Sequence, residues 1–245
     1  IALSGGGFAI AYHDNADNTK NKLVIFNNSG TITTAAVDIW TRTGTTGNQF
    51  HRMVQLSSGN IAIAISSVNT VSSIGLYYAI FSTVGVQVKA ITNLDTVSAA
   101  WPGEIEQMTG FFAISRANAT DQKAYVINNA GTLQGAEFSA TTTAGNSANK
   151  TKLVTNGTNF YLIWHRSSDN KVVLTLLPTT GTNYLTSMIT PTTNSPYNLW
   201  LDGFCENNVI PFITGTAGAT KVRLWIVNLD TRQLYSSSMT EIGDA

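Results

Sequence analysis

The segment Ser57–Ser66, SSGNIAIAIS, repeats the chemistry of Ser4–His13, SGGGFAIAYH: a small polar turn, then large and small apolar residues in alternation. Three later runs share the pattern: GFFAISR from Gly110, TNFYLIW from Thr158 and NNVIPFIT from Asn207. The first large residues of the runs are Phe8, Ile61, Phe112, Phe160 and Ile210, spaced 53, 51, 48 and 50 residues apart. Units repeating with a period near fifty cannot each bury their apolar faces alone, so neighbouring units must cover one another.

Each unit carries further shared parts. A second apolar run follows the first: NKLVIF at Asn21, GLYYAIF at Gly75, QKAYVI at Gln122, NKVVLTLL at Asn170 and TKVRLWIV at Thr220. Then comes a turn, NNSGTIT from Asn27 or NNAGTLQ from Asn128, with Gly85 and Gly181 in the same place in units two and four. Glycine suits a tight hairpin that needs a positive φ. In the fifth unit NLDTRQL carries Asp230 there, which predicts a turn of different shape. A third short strand follows, and a fourth leads onward, as in QFHRMVQL at Gln49, GEIEQM at Gly103 and KTKLV at Lys150.

Short runs rich in β-branched and aromatic residues, bounded by Gly, Asn and Ser, are strands, and no stretch has a 3.6-residue apolar period. The expected fold is therefore all-β: a single domain over 1–245, a five-bladed β-propeller with four-stranded antiparallel blades. The expected blades are 4–54, 55–107, 108–154, 155–206, and 207–245 with 1–3. FAIAY and IAIAI, with their small residues, are expected innermost, where blades crowd. IALSGG at the N-terminus aligns with VQLSSG (Val54 to Gly59), so the N-terminal strand is expected to complete the last blade and close the ring. An open solenoid is the rival architecture, but it needs capping units and the sequence shows none.

Composition narrows the function classes. Charged residues make up 11% of the chain, against roughly 25% in an average soluble protein, so Thr, Ser, Asn and Gly must supply the polar surface. Lys plus Arg balances Asp plus Glu at 14 each, with no basic block, which argues against nucleic-acid binding. No apolar run approaches the roughly 20 residues that span a bilayer as a helix, so membrane insertion is not expected. Cys205 is the one cysteine, so an intrachain disulfide is impossible; DGFCENN offers no His or Lys to favour a thiolate, and a buried inert thiol is expected. The chain starts without Met or a signal-like segment and is expected to be part of a longer protein.

The pattern Leu3, Gly6, Gly7, Phe8, Ile10, Tyr12, followed by Ile25, Phe26, Asn27 and Gly30, resembles propeller-like repeats of bacteriophage tail-fibre proteins and large secreted bacterial adhesins. The resemblance spans the chain and weakens in units four and five. It implies an extracellular or virion-surface location and a role in attachment, and its motif is structural. The blade count is also similar to that of five-bladed lectins, a likeness of architecture alone.

Glycoside hydrolysis needs two carboxyl groups about 5 to 10 Å apart. In the related enzymes these would stand in the segments here written LSGGG, LSSGN, MTGF, TNGTN and ENNV, where Glu206 is the sole acid; Glu104 and Glu106 lie on a fourth strand. The histidines His13, His51 and His165 form no metal motif, although His13 and His165 hold equivalent places and could share a ligand contact. HDNADN, His13 to Asn18, lacks the spacing of a calcium loop and reads as a solvated hairpin. Exposed tryptophan faces would stack on sugars. Trp225 is expected in the core, whereas Trp40, Trp101 and Trp200 follow or flank loops, and Tyr197, Trp200 and Asp202 sit in an irregular Pro-containing stretch.

The sequence thus predicts a non-enzymatic module that binds a glycan or another host-surface receptor, with Tyr197, Trp200, Asp202, Trp40, Trp101, His13 and His165 as candidate ligand contacts. Neither a metal nor a cofactor is expected. A multimeric or larger assembly would add avidity. A structural module of a fibre or capsid is the alternative, and a glycoside hydrolase the third.

Overall fold

The structure is a computed structural model that describes residues 1–17, 19–41, 49–67, 75–96, 101–117, 121–141, 151–166, 171–180, 184–188, 196–200, 208–216, 222–234 and 240–241. Every regular element among the described residues is a strand. The first sheet runs β1 (Phe8–His13), β2 (Lys20–Phe26), β3 (Ile32–Thr41) in spatial order. The second is β4 (Gln49–Gln55), β5 (Ile61–Ser67), β6 (Gly75–Phe81), β7 (Gln87–Asp95). The third is β8 (Trp101–Met108), β9 (Phe111–Ala117), β10 (Asp121–Asn128), β11 (Phe138–Thr141). The fourth is β12 (Thr151–Thr155), β13 (Phe160–Arg166), β14 (Lys171–Leu177), β15 (Leu185–Met188). The fifth is β16 (Pro196–Trp200), β17 (Val209–Thr216), β18 (Val222–Asn228), β19 (Gln233–Leu234), with β20 (Thr240–Glu241) also beside β18. Strand order follows chain order within each sheet, the arrangement of a meander joined by hairpins.

The sheets are phased one strand earlier than the blade limits 4–54, 55–107, 108–154 and 155–206 require. β4, expected to end the first unit, pairs with β5 from Gln55↔Ile61 to Gln49↔Ser67. FAIAY and IAIAI are therefore second strands, not innermost ones. The reason is the turn between them: Leu56 N–H bonds the Asn60 carbonyl at 2.7 Å and Gly59 N–H bonds the Leu56 carbonyl at 2.8 Å. A turn this tight can only fold a strand back onto its own sheet. The N-terminus obeys the same rule. Ile1 and Ala9 exchange backbone bonds of 2.9 Å and Ala2 bridges Phe8, so these residues stand beside β1 as β4 stands beside β5. Their strand partner is β1, in place of the expected fourth strand of the last blade.

A second family of turns joins β2 to β3, β6 to β7 and β10 to β11. Asn27, Ser82 and Asn128 each bond backbone-to-backbone four residues on, at 2.9, 2.8 and 2.9 Å. Their side-chain oxygens also cap the turns: Asn27 Oδ1 accepts from Ser29 and Thr31 N–H, and Asn128 Oδ1 from Ala130 and Thr132 N–H. Gly30, Gly85 and Gly131 all take φ of +77° there. In the fifth sheet the loop is longer by one residue, and Arg232 adopts the left-handed conformation at φ +56°. The different turn shape expected around Asp230 is what forms.

The chain divides into two compact units, 1–114 with 127–133, and 115–126 with 134–245. In the first unit, Ile61, Ile63 and Ile65 of β5 pack with Leu3, Ala9, Leu23, Ile25 and Ile39. The alternate residues Ala62 and Ala64 are equally buried, at 0% exposure, so the strand is covered on both faces. On β6, Tyr78 donates its hydroxyl to the Gly131 carbonyl at 2.9 Å and meets the edge of Phe112 at 6.0 Å. In the second unit, Val154, Tyr161, Ile163, Val172 and Leu174 pack with Ile210, Val227 and Leu229. The other face of the fourth sheet presents Trp164, which approaches Phe138 at 6.5 Å and donates its indole N–H to Thr175 Oγ1 at 3.0 Å.

Gly7 and Gly59 give a paired test of the turn chemistry. Both have positive φ, +83° and +88°, but a Cβ on Gly7 would overlap the Phe26 carbonyl oxygen, whereas one on Gly59 meets open space. Gly59→Ala should cost only the left-handed penalty of about 1–2 kcal/mol. Gly7→Ala should cost about 3 kcal/mol or more, because backbone must move. Urea denaturation of the two variants measures the difference, and equal losses would refute the steric account.

Candidate functional site

The first unit holds a cavity of about 530 Å³, lined by Ala2, Leu3, Ser4, Gln55, Leu56, Ser57, Gly59 and Gln107. These residues come from corresponding places in successive sheets. Ala2, Gln55 and Gln107 share one position in the repeat, Leu3, Leu56 and Met108 the next, and Ser4, Ser57 and Thr109 the third. Leu3 and Leu56 are buried and anchor the two turns below the polar groups.

Hydrogen bonds fix much of the lining. Gln55 Oε1 accepts the Ser4 N–H at 2.6 Å, and Gln55 Nε2 donates to the Gly59 carbonyl at 3.0 Å, so both ends of that amide are engaged. Ser57 Oγ accepts the Gly110 N–H at 3.0 Å and Asn129 Nδ2 at 2.9 Å. Gln107 Oε1 is buried without a hydrogen-bond partner, and so is Asn129 Oδ1. The lining contains amides, hydroxyls and aliphatic groups and no titratable side chain. Such a surface can recognise hydroxyl or amide groups on a ligand; its side chains offer no acid–base pair. The acid positions weighed for hydrolysis fall here in LSGGG and LSSGN and carry no carboxylate, while Glu206 lies outside the described residues.

Of the expected contact residues, the structure describes the side chains of Trp40 and His13. Trp40 is half-buried: its ring lies 4.5 Å from that of Tyr77, tilted by 35°, and it packs against the core shared by the first two sheets. His13 ends β1 opposite Asn21. Its electrostatic neighbour is His51. Trp101 lies on β8, His165 on β13, and Tyr197 and Trp200 on β16, but their side chains, like Asp202, Cys205 and the side chain of Trp225, lie outside the described residues.

The loop at Asp14 is held by ordinary hairpin interactions. Lys22 Nζ reaches Asp14 at 2.8 Å, and Lys20 reaches Asp17 at 3.5 Å and Asp38 at 3.4 Å. The Lys22 hydrogen bond holds the Asp14 carboxyl below its usual range, and hydrogen bonds from Thr19 do the same for Asp17. Among the described residues no group of three His, Cys, Asp or Glu converges as metal ligands would.

Sequence reasoning missed Gln55 and Gln107. The signal was available, since both stand directly before the buried Leu56 and Met108 that precede the turns LSSG and MTG.

No family model and no curated protein matches the chain. Solved structures do. The chain is similar over its whole length to the Dos1 propeller, at 14% identity and a TM-score of 0.58, and spans 60% of that chain. The fold is a β-propeller. Over 96% of its length the protein is also similar to a protein from Lactobacillus plantarum (9% identity, TM-score 0.52, 69% of that chain). Over 97% it is similar to a prolyl endopeptidase structure, of which it spans 33% at 11% identity and a TM-score of 0.51. At these identities the likeness is one of fold.

His51 yields a pH prediction. Its Nε2 lies 2.7 Å from Asn21 Oδ1, and burial, then the charge of His13, lowers its pKa from the usual 6.5 to about 4. The unfolded chain therefore takes up this proton first as pH falls. The contribution of His51 is complete above pH 6.5 and is lost progressively towards pH 4, by roughly 3 kcal/mol less what partial exposure screens. His51→Gln should flatten the stability slope across that window in urea titrations. An unchanged slope would show that other groups set it.

Proposed function

We propose that this protein is a non-enzymatic attachment module, a five-bladed ring that binds a glycan or another host-surface receptor as part of a virion fibre or cell-surface assembly. The observation that carries the reading is the neutral, hydrogen-bonding cavity in a repeat fold with no acid in its lining. An extracellular or virion setting is supported by the GGF-x-I-x-Y pattern from Gly6 and by the low charge content of 11%. Rigid repeats suit attachment, because loops held by packed sheets lose little conformational freedom on binding. Several weak sites in a multimer would then act together.

A structural module is favoured by one specific observation. Val84 and Val86 in the turn before β7, and Val88 on it, are 69%, 61% and 49% exposed, an apolar group that a neighbouring subunit would cover.

A glycan array probed with the multimerised protein separates the readings, with Trp200→Ala as the paired variant for a rim contact. Saturable binding supports attachment, and its loss in Trp200→Ala places the contact near β16. Silence from the folded protein, together with self-association abolished by Val86→Lys, would replace attachment with the structural role.

A further inference from the structure

We propose that the cavity between the turns Leu3–Gly7 and Leu56–Asn60, with Gln107 beside it, is a binding site for an uncharged, hydroxyl-rich ring such as a neutral pyranose. This deepens the attachment reading and rests on it. The volume of about 530 Å³ falls within the range of roughly 300–1,000 Å³ found for small-molecule sites. The lining supplies no ammonium, guanidinium or carboxylate, so a charged ligand would enter without a counter-charge, whereas a neutral one leaves none unpaired.

The hydrogen-bond inventory specifies the ligand further. A serine hydroxyl has one proton and two acceptor positions. Ser57 Oγ already accepts twice, from Gly110 N–H and Asn129 Nδ2, so what it has left to offer is its proton. Gln55 is engaged at both ends of its amide and forms a fixed wall. Gln107 Oε1 is a buried acceptor without a donor, which costs free energy until one arrives. The site thus presents a spare donor at Ser57, and a ligand hydroxyl meets the Gln107 acceptor once that side chain turns its buried amide towards the cavity it lines. A hydroxyl-bearing ligand, whose groups both accept and donate, satisfies both.

The test uses the whole chain and methyl glycosides of neutral hexoses as probes, with glucuronate and glucosamine as charged comparisons. Binding is read by backbone amide NMR shifts at concentrations on the order of 10 mM, above the about 1 mM dissociation constant expected of one small site. The expected result is perturbation of the Ser4, Ser57 and Gly59 amides by a neutral glycoside, weakened about tenfold or more by Gln107→Ala and unaffected by Trp200→Ala. The amide map stands on the unaltered protein even if Gln107→Ala fails to fold. Glycoside binding that spares these amides, or that Trp200→Ala abolishes while Gln107→Ala retains it, overturns the cavity site and leaves attachment intact. Preference for the charged sugars overturns the neutral class. No response to any probe overturns the inference, and the glycan array then judges attachment separately.

Discussion

The whole architecture depends on strands that are apolar on both faces. On β5 five consecutive residues, Ile61 to Ile65, are fully buried, and β6 is nearly as well covered. An isolated antiparallel sheet leaves one face to water. A sheet made from such strands must have a neighbour on each side, which is the arrangement of the first unit around β5 and of the second around β13. Each buried Val, Leu, Ile or Phe side chain contributes about 1.5–3 kcal/mol at most against the entropy of ordering the chain. The supporting contacts are aromatic and polar only where geometry gives them partners, as with Tyr78 and Gly131 or Trp164 and Thr175.

Turn chemistry converts this packing rule into a repeat. The turns before β1 and β5 and those before β3, β7 and β11 use one design, a tight loop closed by two backbone bonds and finished by glycine at positive φ. Asn27 and Asn128 add side-chain caps to the second kind. Where glycine is missing, at Asn208 and Arg232 in the fifth sheet, the chain still adopts φ of +61° and +56°. The sheet's packing outweighs a penalty of about 1–2 kcal/mol per residue. Because the turns recur in register, equivalent residues return to equivalent places. Gln55 and Ser57 come to face residues from the adjacent turns for this reason, and the cavity is a product of repetition rather than of a specialised loop.

A site formed in this way is chemically quiet. Its groups are amides and hydroxyls already tied into turns, and proton transfer at neutral pH is beyond them. The histidines with unusual surroundings, His13 and His51, sit with Asn21 between the first two sheets, where burial suppresses the charge of His51. The described lining holds amide, hydroxyl and aliphatic groups.

The sequence by itself determined the strand-only fold, the fifty-residue period and the turn positions, because each is a local pattern: alternation, spacing, and Gly or Asn where φ must turn positive. It even carried the phase of the sheets, since LSSGN is a hairpin turn too short to cross between sheets, although similarity of the following strands suggested a different boundary. The tertiary structure alone decided which side chains meet. The contact of Trp40 with Tyr77, ring centres 4.5 Å apart, is not written in either local sequence. Gln107 is an unremarkable glutamine until its oxygen is buried without a donor beside a cavity. Such contacts join residues distant in the chain, 37 positions apart for Trp40 and Tyr77 and 72 for Ser57 and Asn129, and no local pattern encodes a distance between strands of different sheets. Packing sets that distance, and with it the difference between a structural residue and one open to a ligand.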